Sequence, residues 1–134
     1  MKSSNNKFIC ASGAGVSTLT ASIDTRGFSY CQIVGFNNAA AGLHTTAANT
    51  ILQESDDDAT WVTITTGLTP LTTASAASIA KVVWNVDLRG RKRYLKPTTG
   101  YAATNALSMI AVLSDGADAP ITEAEVNAVN VANI

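Results

Sequence analysis

The feature that most constrains the fold of this chain is a period of two in the apolar residues of several short windows. The clearest window covers residues 81–88, in which the alternate apolar side chains are Val82, Trp84, Val86 and Leu88. Such alternation is typical of a β-strand that buries one face, because successive side chains point to opposite faces of the strand. The sequence therefore predicts a chain built from half-buried strands.

Comparable windows recur along the sequence, at 8–11, 19–24, 30–36, 50–55, 61–65, 94–97 and 107–113. Clusters of Gly, Asn, Asp and Ser separate them, and two of these, SGAG at 12–15 and ESDDD at 54–58, predict hairpin turns. About eight short strands at this spacing predict an all-β fold. We expect an antiparallel β-sandwich, with either a jelly-roll-like or an immunoglobulin-like topology.

The last part of the sequence departs from the strand pattern. Residues 121–134, ITEAEVNAVNVANI, contain few and mostly small apolar residues. We interpret them as an arm that a neighbouring molecule orders, with a short helix folded back on the domain as the alternative. The predicted division is a sandwich domain at 1–120 and a C-terminal arm at 121–134. The apolar arm residues predicted to contact another protein are Ile121, Val126, Val129, Val131 and Ile134.

The chain is poor in charge. Charged residues make up 14% of the sequence, against about 25% in an ordinary soluble domain. Such a surface gives little repulsion between copies, which suits a protein that neighbours cover. The formal net charge of −1 provides no general attraction to DNA, RNA or an anionic membrane. Apolar runs of membrane-spanning or signal-peptide length are also missing, so no membrane association is expected.

One segment concentrates positive charge. DLRGRKRYLKP, at 87–97, holds Arg89, Arg91, Lys92 and Arg93. A nucleic-acid site would need aromatic stacking surfaces or a broad basic face, which this segment lacks. Its glycine suits a tight hairpin turn, so the four basic side chains are expected at one end of the sandwich, near an acidic loop such as 54–58 of the same or another molecule. These four are therefore predicted protein-contact residues, and nucleic acid is disfavoured.

The sequence predicts neither catalytic residues nor a cofactor or metal site. His44 is the single histidine, and no Asp or Cys lies near it in sequence to form a catalytic pair. Together with Cys10 and Cys31 it falls short of the four ligands of a structural zinc site. We therefore expect both cysteines to be buried free thiols and the chain not to be an enzyme.

Two further features have structural interpretations. The acidic loop at 54–58 offers oxygen ligands for calcium, but it lacks the alternate spacing of an EF-hand loop. A solvated hairpin turn is therefore favoured there. Trp61 and Trp84 are expected in the core of the two sheets.

Three segments together resemble a known group of proteins: LQESDDDATWVTI, VVWNVDLRGRKRYLKP and ALSMIAVLSDGADAPI. The combination is similar to small virion structural proteins that tailed bacteriophages encode next to the major capsid protein, and it covers roughly residues 50–121. The resemblance implies a non-enzymatic β-sandwich that binds the outside of the capsid lattice as a decoration or cement subunit. The implied partners are the major capsid protein and further copies of the chain, as dimer, trimer or lattice neighbours. The implied location is the virion, assembled in the host cytoplasm.

Two other functions remain open at this stage. The same sandwich could form a ring or tube in the tail or at the head–tail junction. A carbohydrate- or host-surface-binding module would use exposed aromatic side chains, and aromatic residues make up 6% of this sequence.

Overall fold

The computed structural model describes residues 6–37, 51–65, 81–115 and 130–133, and the regular structure in these ranges is β-strand. Eight strands are present there: β1 (Lys7–Thr20), β2 (Ile23–Asp24), β3 (Tyr30–Asn37), β4 (Ile51–Ser55), β5 (Val62–Thr63), β6 (Lys81–Asp87), β7 (Tyr94–Ser114) and β8 (Asn130–Asn133). The prediction of an all-β fold is confirmed.

Strand β7 organises the sheet. Its first half pairs antiparallel with β4 on one side and with β2 and the end of β1 on the other. Its second half pairs with β3 and with the beginning of β1. Since β7 changes partners halfway along its length, the sheet order β5-β4-β7-β3-β6-β8 curls into two layers that share this strand.

The two layers enclose one hydrophobic core. Leu52 on β4 and Leu95 on β7 belong to the same buried cluster as Ile33 on β3 and Trp84 on β6. All four side chains are fully buried. Removing one aliphatic side chain of this size from water stabilises a fold by about 1.5–3 kcal/mol. The alternation read from the sequence therefore marks the faces that meet between the layers, and the β-sandwich prediction is confirmed.

The glycine-rich segment at 12–15 is not the hairpin turn that the sequence predicts. It lies inside β1, which continues from Lys7 to Thr20 along one neighbour, β7. The register shifts between Gly13 and Val16, and again between Val16 and Thr18. Gly15 has φ 66°, a left-handed conformation that glycine adopts at little cost. The glycines thus form bulges that bend a strand, instead of reversing it.

The predicted strands at 94–97 and 107–113 are parts of one strand. β7 is 21 residues long and passes through Pro97, where the sequence predicts a strand end. Proline lacks an N–H donor, but its carbonyl oxygen still accepts a hydrogen bond from the backbone N–H of Ala21 at 3.3 Å. The expectation that every strand is short was therefore wrong for β1 and β7.

The acidic segment does form the predicted hairpin. β4 and β5 pair antiparallel, with Gln53 opposite Thr63 and Glu54 opposite Val62. Residues 56–60 between these strands are bends that lie exposed at the surface.

Part of the predicted arm belongs to the sheet. Residues 130–133 form β8, which pairs parallel with β6 and places Val131 opposite Val83. These four residues form neither the helix nor the arm ordered by another molecule that the sequence predicts. They form a strand because the edge of β6 offers backbone hydrogen-bond partners. Residues 121–129 and 134 lie outside the described residues, as does His44. The division into a domain and an arm stays a prediction.

Candidate protein-contact surface

The basic segment makes a tight turn at one end of the sandwich. The backbone N–H of Arg91 donates to the carbonyl of Leu88 at 3.1 Å, and Gly90 has φ 82°. A positive φ at the third position of such a turn is the reason for a glycine there. Leu88 anchors the turn, since its side chain is buried and its N–H donates to the carbonyl of Ser29 at 2.9 Å. The tight turn predicted at Gly90 is confirmed.

The turn does not join a hairpin, however. The described partners of β6 are β3 and β8, and those of β7 are β1, β2, β3 and β4. Residues 88–93 therefore carry the chain from one layer to the other. The strands before and after the turn diverge because each follows its own layer.

Two of the basic residues meet the acidic hairpin of the same molecule. The ammonium of Lys92 lies 2.6 Å from a carboxylate oxygen of Asp56, and the Lys92 N–H donates to Glu54 at 3.3 Å. The guanidinium of Arg91 lies 3.8 Å from Glu54, and both of these side chains are largely buried. The expected meeting of the basic turn with the loop at 54–58 is thus present within one molecule.

Arg93 pairs with a different strand. Its guanidinium donates two hydrogen bonds to Asp24 on β2, at 3.1 and 2.7 Å, and lies 4.7 Å from the centre of the Tyr94 ring. The Arg93 guanidinium lowers the pKa of Asp24 to about 2, helped by the backbone N–H of Arg26. This fork of two parallel hydrogen bonds is the strongest form of an ion pair between these groups.

Arg89 is the most exposed of the four basic side chains and pairs locally. It donates to both carboxylate oxygens of Asp87, at 2.5 to 3.1 Å, while 78% of its side chain remains accessible. The hydrogen bonds from Arg89 hold the pKa of Asp87 at about 2. Each of the four predicted contact cations therefore has a carboxylate partner in the same molecule. Their role in binding another protein stays a prediction.

The acidic loop is organised by its own backbone. Asp57 accepts hydrogen bonds from the N–H groups of Thr60 and Ala59, which lower the pKa of its carboxyl well below the usual range. Asp58 has φ 58° and accepts a hydrogen bond from the Ser22 hydroxyl at 2.5 Å. Within the part of the chain that the structure describes, no three acidic, His or Cys side chains group as a metal site would require.

Two predictions about burial were half right. Trp84 is fully buried, but Trp61 is only half-buried and stacks its ring under the Lys96 ammonium at 4.2 Å. Cys31 is buried, and burial raises the pKa of its thiol to about 12. Cys10, in contrast, is exposed, because it lies on the outer face of β1.

That outer face carries a group of apolar side chains that sequence reasoning missed. Phe8 is 65% exposed and Ile110 is 37% exposed. Cys10 lies opposite Ile110, and Phe8 lies opposite Val112, on the paired strands β1 and β7. The signal in the sequence is the unbroken apolar run from Met109 to Leu113, which gives β7 apolar residues on both faces instead of one. We call Phe8, Cys10, Ile110 and Val112 the outer apolar face.

Residues 6–37, 51–65, 81–115 and 130–133 include no helix with the length and apolar character needed to cross a bilayer.

Comparisons with known proteins agree with the fold. No family model matches the chain, and no curated protein matches its sequence. Among solved structures, the chain is similar to the SPBc2 prophage-derived protein YomS, with a TM-score of 0.54 and 8% identity over 85% of this chain and 96% of that one. This likeness concerns the fold.

Two further structures are more distant. The CBM22-1 and GH10 modules of a Clostridium thermocellum endo-1,4-β-D-xylanase, complexed with xylohexaose, give a TM-score of 0.42 at 7% identity, over 77% of this chain and 20% of that one. A pilus protein of Bacillus endospore appendages gives a TM-score of 0.36 at 15% identity, over 87% of this chain and 92% of that one.

Proposed function

We propose that this chain is a non-enzymatic structural protein of a phage virion, which decorates and stabilises the capsid lattice through protein–protein contacts. The observation that carries the proposal is the outer apolar face. A chain with only 14% charged residues leaves Phe8 and Ile110 exposed on the outer face of the sheet, where their contact with water is unfavourable. A neighbouring protein would cover them.

Two observations support the phage setting. The fold is similar to that of a prophage-derived protein along nearly the whole length of both chains. The described residues of the segments that resemble small phage virion proteins form the acidic hairpin, the basic turn and the strands β6 and β7 beside it. In a lattice, many weak contacts of this kind would add up, because each further contact forms at high effective concentration.

The electrostatics at the basic turn favour protein contact over nucleic acid. The four cations are matched by Asp24, Glu54, Asp56 and Asp87. The phosphates of a nucleic acid would have to displace these carboxylates before they could bind the four basic side chains. A protein partner can instead place its own charges opposite these ion pairs, and such charge complementarity sets the orientation of a complex more than its affinity.

Copy number in purified particles tests the proposal. Quantitative mass spectrometry of washed virions would find this protein in a number comparable to that of the major capsid protein. A few copies per particle would move the protein to the tail or the head–tail junction, and complete loss during washing would contradict a place in the virion. Binding of the isolated protein to a glycan array would favour the carbohydrate-binding alternative.

A variant tests the role of the basic turn. Replacement of Arg89, Arg91, Lys92 and Arg93 by Gln should weaken attachment to capsids more at low salt than at high salt, since surface charges are screened by ions. As a matched control, Arg26→Gln removes a positive charge that lies outside the turn. If all variants occupy capsids equally at both salt concentrations, the basic turn does not contribute to attachment.

A further inference from the structure

The outer edge of β1 has no partner among the strands that the structure describes. Among the described strands its one neighbour is β7, and it is 14 residues long. At the opposite edge of the same layer, the 4-residue β8 covers β6. An edge strand presents a row of unpaired backbone N–H and C=O groups, which is a template for another strand.

Only half of this edge is protected against pairing. Natural sheets interrupt their edges with bulges and charges. Both register shifts of β1 lie between Gly13 and Thr18, so the second half is irregular. Residues 7–13 run in unbroken register opposite Leu113 to Leu107, and Lys7 is their single charged residue. This half is a regular seven-residue edge.

The regular half is also the apolar half. Phe8 and Cys10 are exposed on it, and the exposed Ile110 lies beside them on β7. The outer apolar face therefore extends to the open edge. A strand added there would satisfy the backbone groups and shield Phe8 from water at the same time.

We propose that residues 7–13 pair antiparallel with the same residues of a second copy of this chain, so that the sheet continues across a two-fold axis. Pairing of the whole segment is centred on Cys10, which then lies opposite Cys10 of the second copy. Phe8 lies opposite Ser12, and Lys7 lies opposite Gly13. The charged side chain of Lys7 therefore lies opposite a glycine and not opposite Lys7 of the second copy.

This register is the reason to infer a second copy and not a different protein. A two-fold interface needs a patch that is complementary to itself, and residues 7–13 fulfil that condition without a like-charge contact. The low charge of the chain adds little repulsion between copies. The inference does not depend on a place in the virion, and the isolated protein is sufficient to test it.

Disulfide trapping tests the register. In the full-length protein, oxidised glutathione should link two chains through Cys10, because directly opposed residues on antiparallel strands fall within disulfide reach. The buried Cys31 thiol does not compete. In the Cys10→Ser background, a mixture of Phe8→Cys and Ser12→Cys chains should form linked heterodimers. Ser12→Cys chains alone should link slowly, which makes them the matched control for random collision.

Charge substitution tests the association without oxidation. Phe8→Lys with Ser12→Lys places like charges opposite each other twice, and should weaken dimerisation in sedimentation equilibrium on the order of tenfold or more. Phe8→Lys with Ser12→Glu places opposite charges there and should restore the dimer. Both positions are exposed, so circular dichroism should show an unchanged fold.

Either of two results would overturn the proposal. One is a monomer up to the solubility limit together with Cys10 linking no faster than the Ser12→Cys control. The other is a dimer that the Lys–Lys variant leaves as strong as the Lys–Glu variant, which would place the contact elsewhere.

Discussion

Gly35 on β3 faces Thr99 on β7 across the two layers, and a Cβ atom on Gly35 would lie 2.5 Å from the Thr99 Cγ2 methyl. The same atom would lie 3.1 Å from Val82. This close approach is possible because glycine has no side chain. It joins the first half of β7 to the second layer and helps to fix the curl of the sheet.

Gly35→Ala should therefore destabilise the fold by about 1–3 kcal/mol, the usual cost of inserting a methyl group into a filled core. Denaturant unfolding measures this change. Thr99→Ser removes the methyl group that clashes, so the double variant should recover much of the loss. Equal destabilisation with and without Thr99→Ser would show that the two residues do not meet as described.

Removal of the Thr99 hydroxyl is expected to stabilise the fold, whereas Gly35→Ala is expected to destabilise it. Thr99 is fully buried, and its Oγ1 has no hydrogen-bond partner in the described part of the chain. Because a buried unpaired hydroxyl is unfavourable, Thr99→Val should raise the free energy of unfolding by about 1 kcal/mol. The neighbouring Thr98→Val is the control, since Thr98 shares a 3.0 Å hydrogen bond with Thr20 and should gain nothing. A loss of stability in Thr99→Val would contradict the unpaired hydroxyl.

The pair formed by Asp24 and Arg93 predicts a pH dependence. The ordinary pKa of this carboxyl is 3.8 and its pKa in the folded protein is about 2, so the unfolded chain takes up the proton first as the pH falls. The stabilisation by this pair is complete above pH 3.8 and is lost as the pH falls to about 2.

Urea unfolding between these pH values should therefore show a smaller loss of stability in Arg93→Gln than in the natural chain. Arg26→Gln is a suitable control, because Arg26 contacts Asp24 through its backbone N–H. An unchanged slope in Arg93→Gln would show that the pair does not hold the pKa down.

Removal of residues 130–134 tests β8. We expect the truncated protein to stay folded, because the core lies in strands that remain. Amides of β6 that face β8, around Val83, should lose protection in hydrogen exchange, since their parallel partners are gone. A chain shortened by Ile134 alone serves as the control. Unchanged protection along β6 would mean that β8 does not occupy this edge in solution.

Much of the fold was predictable from local sequence. The alternation of Val82, Trp84 and Val86 indicates a strand, and these side chains do lie in the core. The prediction that this strand buries one face was wrong, because Val83 and Asn85 on its other face are buried as well. The Asp and Ser residues between β4 and β5 indicate a hairpin, and Gly90 indicates a tight turn, because each is a local preference of backbone conformation. For the same reason a glycine-rich segment such as 12–15 is ambiguous, since it suits a turn and a bulge equally.

Pairing between distant residues was decided by the tertiary structure. Nothing near Pro97 in sequence reveals that β7 continues through it, because the strand is held by β4 on one side and β1 on the other. Likewise, the proximity of Arg93 to Asp24 depends on β2 lying beside β7. The sequence by itself indicated most of the extended segments and the apolar residues that line the core, since both are largely local properties. Strand neighbours, the open edge of β1 and the partner of each charge depend on contacts between distant segments, which only the packed sheet decides.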